Sequence, residues 1–130
     1  MNVLLVDDDE IFNFLGKKIL QRINFVNEVD TALNGKEAIR LFEEFFIGSK
    51  PLPDYILLDV NMPIMNGFEF LDAFSKLTLP QKEKIKIVMV SSSQDPFDMQ
   101  RAKALGAKDY LIKPLAEGML RGVLVAHHVK

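Results

Sequence analysis

Five times along the chain, a short apolar run gives way to a stretch with helical spacing. Few folds survive that constraint, because strand–helix–strand units close most readily through right-handed crossovers into a parallel sheet. Val3-Leu4-Leu5-Val6 is the first run and stops at four acids. Ile11, Leu15, Ile19 and Ile23, with Phe12 and Leu20 beside them, then recur at helical spacing and predict an inward face. Phe25 to Ala32 mixes β-formers with polar residues and predicts a strand near an edge. After Asn34-Gly35, residues Ala38, Leu41, Phe42 and Phe45 mark a second helix. Tyr55-Ile56-Leu57-Leu58 is apolar throughout, as a strand covered on both faces should be. Gly67 opens a third helix with Phe68, Leu71 and Phe74 inward, and Ile85 to Val90 is the fourth strand. Asp95-Pro96 supplies a cap and first helical position, and that helix runs through Phe97, Ala102 and Leu105 to a stop at Gly106. Tyr110-Leu111-Ile112 is the fifth strand, and Leu115 to about His128 the last helix. Gly118 and Gly122 weaken that helix by roughly 1 kcal/mol each. The expected fold is α/β: a (βα)5, doubly wound, five-stranded parallel sheet with helices on both faces.

A length of 130 residues with 48% hydrophobic content fits one domain, expected to span 1–130 with no output domain after the fifth helix. Sixteen basic residues against 18 acidic ones, a formal charge of −2, carry no electrostatic footprint for nucleic acid or an anionic membrane. No apolar run approaches the roughly 20 residues of a membrane span. Acids follow the first apolar run where a signal peptide would carry small residues, so the expected location is cytoplasmic.

In an open parallel sheet, ligands bind beyond the carboxyl ends of the strands. The first run ends in Asp7-Asp8-Asp9-Glu10, the third in Asp59, the fourth in Ser91-Ser92-Ser93 and the fifth in Lys113-Pro114. Carboxylates about 4 Å apart repel by roughly 4 kcal/mol per pair at an effective dielectric near 20, so such a cluster needs a cation or a proton. With no histidine or cysteine nearby the ligands are all oxygen, which favours Mg²⁺ or Mn²⁺ over zinc or copper. Asp9 and Glu10 are expected instead to cap the following helix and favour its dipole. An aspartate beside a cation, a hydroxyl and a lysine is a phosphoryl acceptor by chemistry. The carboxylate can form an acyl phosphate, while the cation and lysine offset charge on the phosphoryl oxygens.

Taken in order, these residues resemble the receiver domain of two-component response regulators over essentially the whole chain. The resemblance rests on Val6-Asp7-Asp8, on Asp59-Val60-Asn61-Met62-Pro63-Ile64-Met65-Asn66-Gly67, on Ser91, on Gly106-Ala107 and on Lys113-Pro114. It implies a flavodoxin-like strand order 2-1-3-4-5. It implies that Asp59 accepts a phosphoryl group from the phosphohistidine of a histidine kinase or histidine phosphotransfer protein. Asp8 would ligate Mg²⁺ directly and Asp7 through water, with Asp59 and the Asn61 backbone carbonyl completing the shell. The Ser91 hydroxyl would swing toward the phosphate, Lys113 would pair with it, and Tyr110 would be the switch aromatic that turns inward. A cis Lys113-Pro114 bond is part of the same expectation. The face made by helix 4, strand 5 and helix 5 would meet an unidentified downstream protein, the chain being a monomer or a phosphorylation-linked homodimer. Ser92 stands where the family has a smaller residue, and Asn61 places a polar side chain near the phosphoryl site. The stretches 46–53 and 76–84 exceed the compact family minimum and read as surface loops.

A haloacid-dehalogenase-type phosphohydrolase is the rival, with Asp7 as nucleophile and Asp9 as acid/base. Against it, Ile11 replaces the usual threonine or valine, no acidic pair follows strand four, and there is no room for a cap. A receiver that never takes phosphate finds no support, since every matched position holds a competent residue. An FMN protein of like topology is excluded by the acidic first loop. Adjacent His127 and His128 point in different directions and read as a solvated helix end. Met62 and Met65 read as packing in the loop, and Phe46 and Phe70 as partly exposed. The expected function is a signalling switch acting through protein contacts, rather than a turnover enzyme.

Overall fold

The computed structural model describes residues 1–48 and 50–128, with side chains as far as residue 126. The expectation for His127 and His128 therefore lies outside the described side chains. The elements are β1 (Asn2–Val6), α1 (Glu10–Gln21), β2 (Glu28–Ala32), α2 (Gly35–Phe46), β3 (Tyr55–Asp59), α3 (Gly67–Ser75), a single 3₁₀ turn (Lys82–Lys84), β4 (Lys86–Ser91), α4 (Pro96–Ala104), β5 (Asp109–Ile112) and α5 (Glu117–His128).

The five strands pair in parallel in the order β2-β1-β3-β4-β5. Central β3 is buried along its whole length, whereas edge strand β2 exposes Glu28 and Thr31. Side chains alternate between faces with the period of two that a strand imposes. Leu4, Val6, Ile56, Leu58, Ile87 and Met89 face a core built with Phe42 of α2, Phe70 and Phe74 of α3 and Ala102 of α4. Val3, Leu5, Tyr55, Leu57, Val88 and Val90 face a second core with Leu20 of α1 and Leu120 and Leu124 of α5.

Four expectations need correction. Ile11 and Leu15 point outward, 71% and 55% exposed, while Asn13, Gly16 and Leu20 turn toward the sheet. That stripe faces the sheet because Leu20 packs in the core and Asn13 bonds to the Asp7 and Ala32 carbonyls. Gly16 packs closely there: a Cβ would sit 3.2 Å from the end of the Leu5 side chain, which would have to give by a few tenths of an ångström. Phe70 is fully buried, stacked on Phe74 at 5.8 Å between centroids, whereas Phe46 is exposed as expected. The strand expected from Phe25 begins only at Glu28, and the last helix at Glu117 rather than Leu115. In both cases the leading apolar residues, Phe25, Val26 and Leu115, pack on the core from a connection.

Capping follows side-chain chemistry. Asp9 accepts from the N–H groups of Ile11 and Phe12, Asn34 from Glu37, and Asp95 from Phe97 ahead of Pro96. Asn66 and Glu69 form a reciprocal capping box on α3. The long 76–84 connection is tied down by Lys82, whose Nζ donates to the carbonyls of Phe74, Ser75 and Leu77, three acceptors at the end of α3. Leu52, Leu77 and Leu79 pack against the core.

Candidate functional site

The carboxyl ends of β1, β3, β4 and β5 converge on one sheet edge. β1 delivers Asp7 and Asp8, β3 delivers Asp59, β4 delivers Ser91, and the turn after β5 delivers Lys113. Carboxylate oxygens of Asp7, Asp8 and Asp59 lie within 4.8 Å of one another. Asp7 and Asp59 are buried, at 2% and 6% exposure, and Asp8 is exposed at the mouth. The donors are all oxygen, and the set fits a hard divalent cation.

Lys113 is the cluster's counter-charge. Its Nζ donates to Asp7 Oδ2 at 2.7 Å and stands 3.4 Å from Asp59 Oδ1. It also lies 4.3 Å from the centre of the Phe12 ring, whose face favours a cation. Burial works against the Lys113 charge, yet the Asp7 hydrogen bond and the Asp59 charge outweigh it and raise its pKa. Burial, with repulsion from Asp7, pushes the Asp59 carboxyl up to about 6 despite Lys113. The three acids thus exceed what one lysine neutralises.

The loop after Asp59 folds back tightly on the end of β3. Gly67 N–H donates to the carbonyl of Val60 at 2.9 Å, and a Cβ on Gly67 would collide with the Asp59 carbonyl oxygen. Ile64, in the same loop, is held at φ 69°, a left-handed conformation unfavourable to a β-branched residue. Asn61 lies in this loop, exposed. Lys113-Pro114 is cis, as the resemblance implied.

On the other side, the fully buried Ser91 hydroxyl accepts from the N–H of Ser93 at 3.0 Å. The half-buried Tyr110 donates through its hydroxyl to the Ser93 carbonyl at 3.1 Å. Ser93 Oγ in turn donates to Asp98 of α4 and accepts from the N–H of Asp95. Ser93 therefore joins Ser91 to Tyr110 and to the start of α4. Reading the serine run at the end of β4 singled out Ser91 and missed Ser93, because only the tertiary turn shows which hydroxyl bridges. Asn13 was missed as well, although a polar residue among the apolar positions of α1 was a visible signal.

An open, doubly wound sheet with acids at two central strand ends and a lysine beside them is the architecture of an aspartate-centred signalling domain. The chain belongs to the response regulator receiver domain family, whose model matches residues 3–124. It is 30% identical over 122 residues to the probable C4-dicarboxylate response regulator DctR of Bacillus subtilis, covering 94% of this chain and 50% of that protein. A two-component response regulator from Cytophaga hutchinsonii superposes with a TM-score of 0.87 at 34% identity, covering 99% of this chain and 97% of that one. The CheX-CheY-BeF3-Mg²⁺ complex from Borrelia burgdorferi gives 0.85 at 25% identity, covering 100% and 90%. The chain spans about half the length of most of the curated relatives it matches. The haloacid-dehalogenase-type alternative is not supported: the family is a different one, and the Asp9 carboxylate assigned as acid/base is committed to capping α1. Among the described residues no helix is long and apolar enough to cross a membrane.

Proposed function

We propose that this receiver takes a phosphoryl group on Asp59 from the phosphohistidine of a histidine kinase or histidine phosphotransfer protein. The observation that carries the reading is the buried Asp59 carboxylate, 3.4 Å from Lys113 and clustered with the Asp7 and Asp8 carboxylates. An Asp59 oxygen attacks phosphorus, and the phosphorus–nitrogen bond breaks. Its electron pair stays on the imidazole nitrogen, which takes up a proton, and an acyl phosphate remains. Asp7, Asp8, Asp59 and the Asn61 backbone carbonyl would hold Mg²⁺, or Mn²⁺ in its place. Once bound, the cation supplies positive charge that offsets the phosphoryl oxygens. Lys113 neutralises a further oxygen and keeps Asp59 oriented.

Phosphorylation adds roughly −1.5 to −2 charge beside Ser91. As the Ser91 hydroxyl turns to that charge, the Ser93 N–H loses its acceptor and the Ser93–Tyr110 link is released. The signal then reaches α4, β5 and α5, where Phe97, Met99, Met119 and Val125 are exposed for a downstream protein or a second copy. In this reading the domain acts in the cytoplasm as a protein-contact switch, rather than by turnover. CheY of Borrelia burgdorferi is found bound to CheX with BeF3 and Mg²⁺, which supports a protein target for a domain of this shape.

Intact mass after incubation with Mg²⁺ and a small phosphoryl donor tests the site. One hydroxylamine-labile phosphoryl adduct is expected, absent from Asp59→Asn, while Lys113→Ala still takes some label but no longer switches. An Asp59→Asn protein labelled at the wild-type rate sinks the assignment.

A further inference from the structure

Asn13 stands on the sheet-facing side of α1 at 4% exposure, where packing alone would favour an apolar residue. Its Nδ2 donates to the Asp7 carbonyl at 2.8 Å and to the Ala32 carbonyl at 3.3 Å. Ala32 is the last residue of β2, and its carbonyl also accepts from the Asp7 N–H at 3.1 Å. One side-chain amide therefore closes the open end of the β1–β2 ladder. Its Oδ1 is the single buried side-chain polar atom without a hydrogen-bond partner among the described residues. A half-satisfied buried amide costs stability that a leucine of similar volume would not. What leucine cannot do is hold the Asp7 carbonyl.

That carbonyl belongs to the peptide plane joining Asp7 to Asp8, and the plane sets the direction in which Asp8 leaves the strand. The Asp7 carboxylate is already fixed twice, Oδ1 by the N–H of Asp9 at 2.9 Å and Oδ2 by Lys113 at 2.7 Å. Asn13 adds the third point, on the backbone.

We propose that Asn13 is a positioning residue for the divalent-cation pocket. By clamping the Asp7 and Ala32 carbonyls it orients the 7–8 peptide so that the two carboxylates converge on Asp59. The inference rests on the reading of Asp7, Asp8 and Asp59 as a cation site. Groups that orient metal ligands from behind change affinity by about 10- to 100-fold when removed.

The test is Mn²⁺ binding by electron paramagnetic resonance, at a temperature where circular dichroism shows each variant folded. Asn13→Leu is expected to bind at least about tenfold more weakly than wild type. Leu20→Ala, a core truncation on the same helix, is the control: it lowers the denaturation midpoint and leaves Mn²⁺ affinity unchanged. If Asn13→Leu does not fold, Asn13→Ala removes the same donor with less volume and is expected to show the same weakening. A folded Asn13 variant that binds Mn²⁺ as wild type does overturns the proposal, as does equal weakening in Leu20→Ala. Asp8→Asn reports on the underlying reading: wild type binding and Asp8→Asn not binding upholds the cation site whatever Asn13 does. A wild-type protein that binds no Mn²⁺ overturns both.

Discussion

The Tyr110 hydroxyl donates to the Ser93 carbonyl at 3.1 Å, reaching from edge strand β5 to the loop that precedes α4. The same Ser93 presents its N–H to the buried hydroxyl of Ser91, 3.0 Å away. A part-buried hydrogen bond of this kind contributes about 1 kcal/mol net. Tyr110→Phe keeps the ring and removes the donor, so it is expected to lose about that amount in urea unfolding. An unchanged midpoint would show that the ring alone holds the loop.

The raised Asp59 pKa makes stability depend on pH with a definite sign. Its unfolded value is near 3.8 and its folded value about 6, set by burial first and Asp7 second. Between those values the folded protein holds a proton that the unfolded chain has released, so stability falls as pH rises through the window. At about 1.4 kcal/mol per pH unit, the ionised carboxylate costs the folded state up to about 3 kcal/mol at neutral pH. In the presence of a chelator, Asp59→Asn is expected to be more stable than wild type at pH 7.5. The advantage should shrink toward pH 4, where both protein forms carry a neutral group. Urea titrations at the two pH values check this, and an advantage that grows on acidification would contradict it.

Gly67 and Gly122 make opposite predictions for the same change. A Cβ at Gly67 meets the Asp59 carbonyl, which is backbone and cannot step aside, whereas nothing lies within 4 Å of one at Gly122 on α5. Gly67→Ala is expected to cost about 1–3 kcal/mol and to slow labelling of Asp59. Gly122→Ala should stabilise by about 0.5–1 kcal/mol with labelling unchanged. Denaturant midpoints and labelling rates on the two variants separate the cases.

Ile64 is 73% exposed and sits at φ 69°, so its side chain gains little burial for a strained backbone. Strain of this kind costs of order 1 kcal/mol or more. Ile64→Gly, free to adopt that φ, is expected to raise the thermal midpoint by several degrees. A lower midpoint would mean that the Ile64 side chain holds the loop by packing.

Local chemistry made most of the fold legible. Period-two and period-3.6 patterns depend only on which residues are apolar and how they are spaced, so five strands and five helices followed from the chain alone. Asp9 and Asp95 announced two helix starts for the same reason, since a cap is a contact between near neighbours in sequence. Asp7, Asp8, Asp59, Ser91 and Lys113 were legible as strand-end residues, because a parallel sheet must carry all its carboxyl ends to one edge.

What the chain could not reveal was decided by contacts between segments far apart in sequence. The inward face of α1 is set by Leu20 in the core and by Asn13 bonding to the Ala32 carbonyl, so Ile11 and Leu15 face outward despite their hydropathy. Phe70 is buried because it belongs to the core that the sheet forms with α2 and α4. Asn13 gains its place from two carbonyls, one just past β1 and one at the end of β2, and Ser93 from a tyrosine 17 residues away. Sequence spacing carries a residue's own propensity; which backbone groups remain for it to satisfy exists only once the strands have paired.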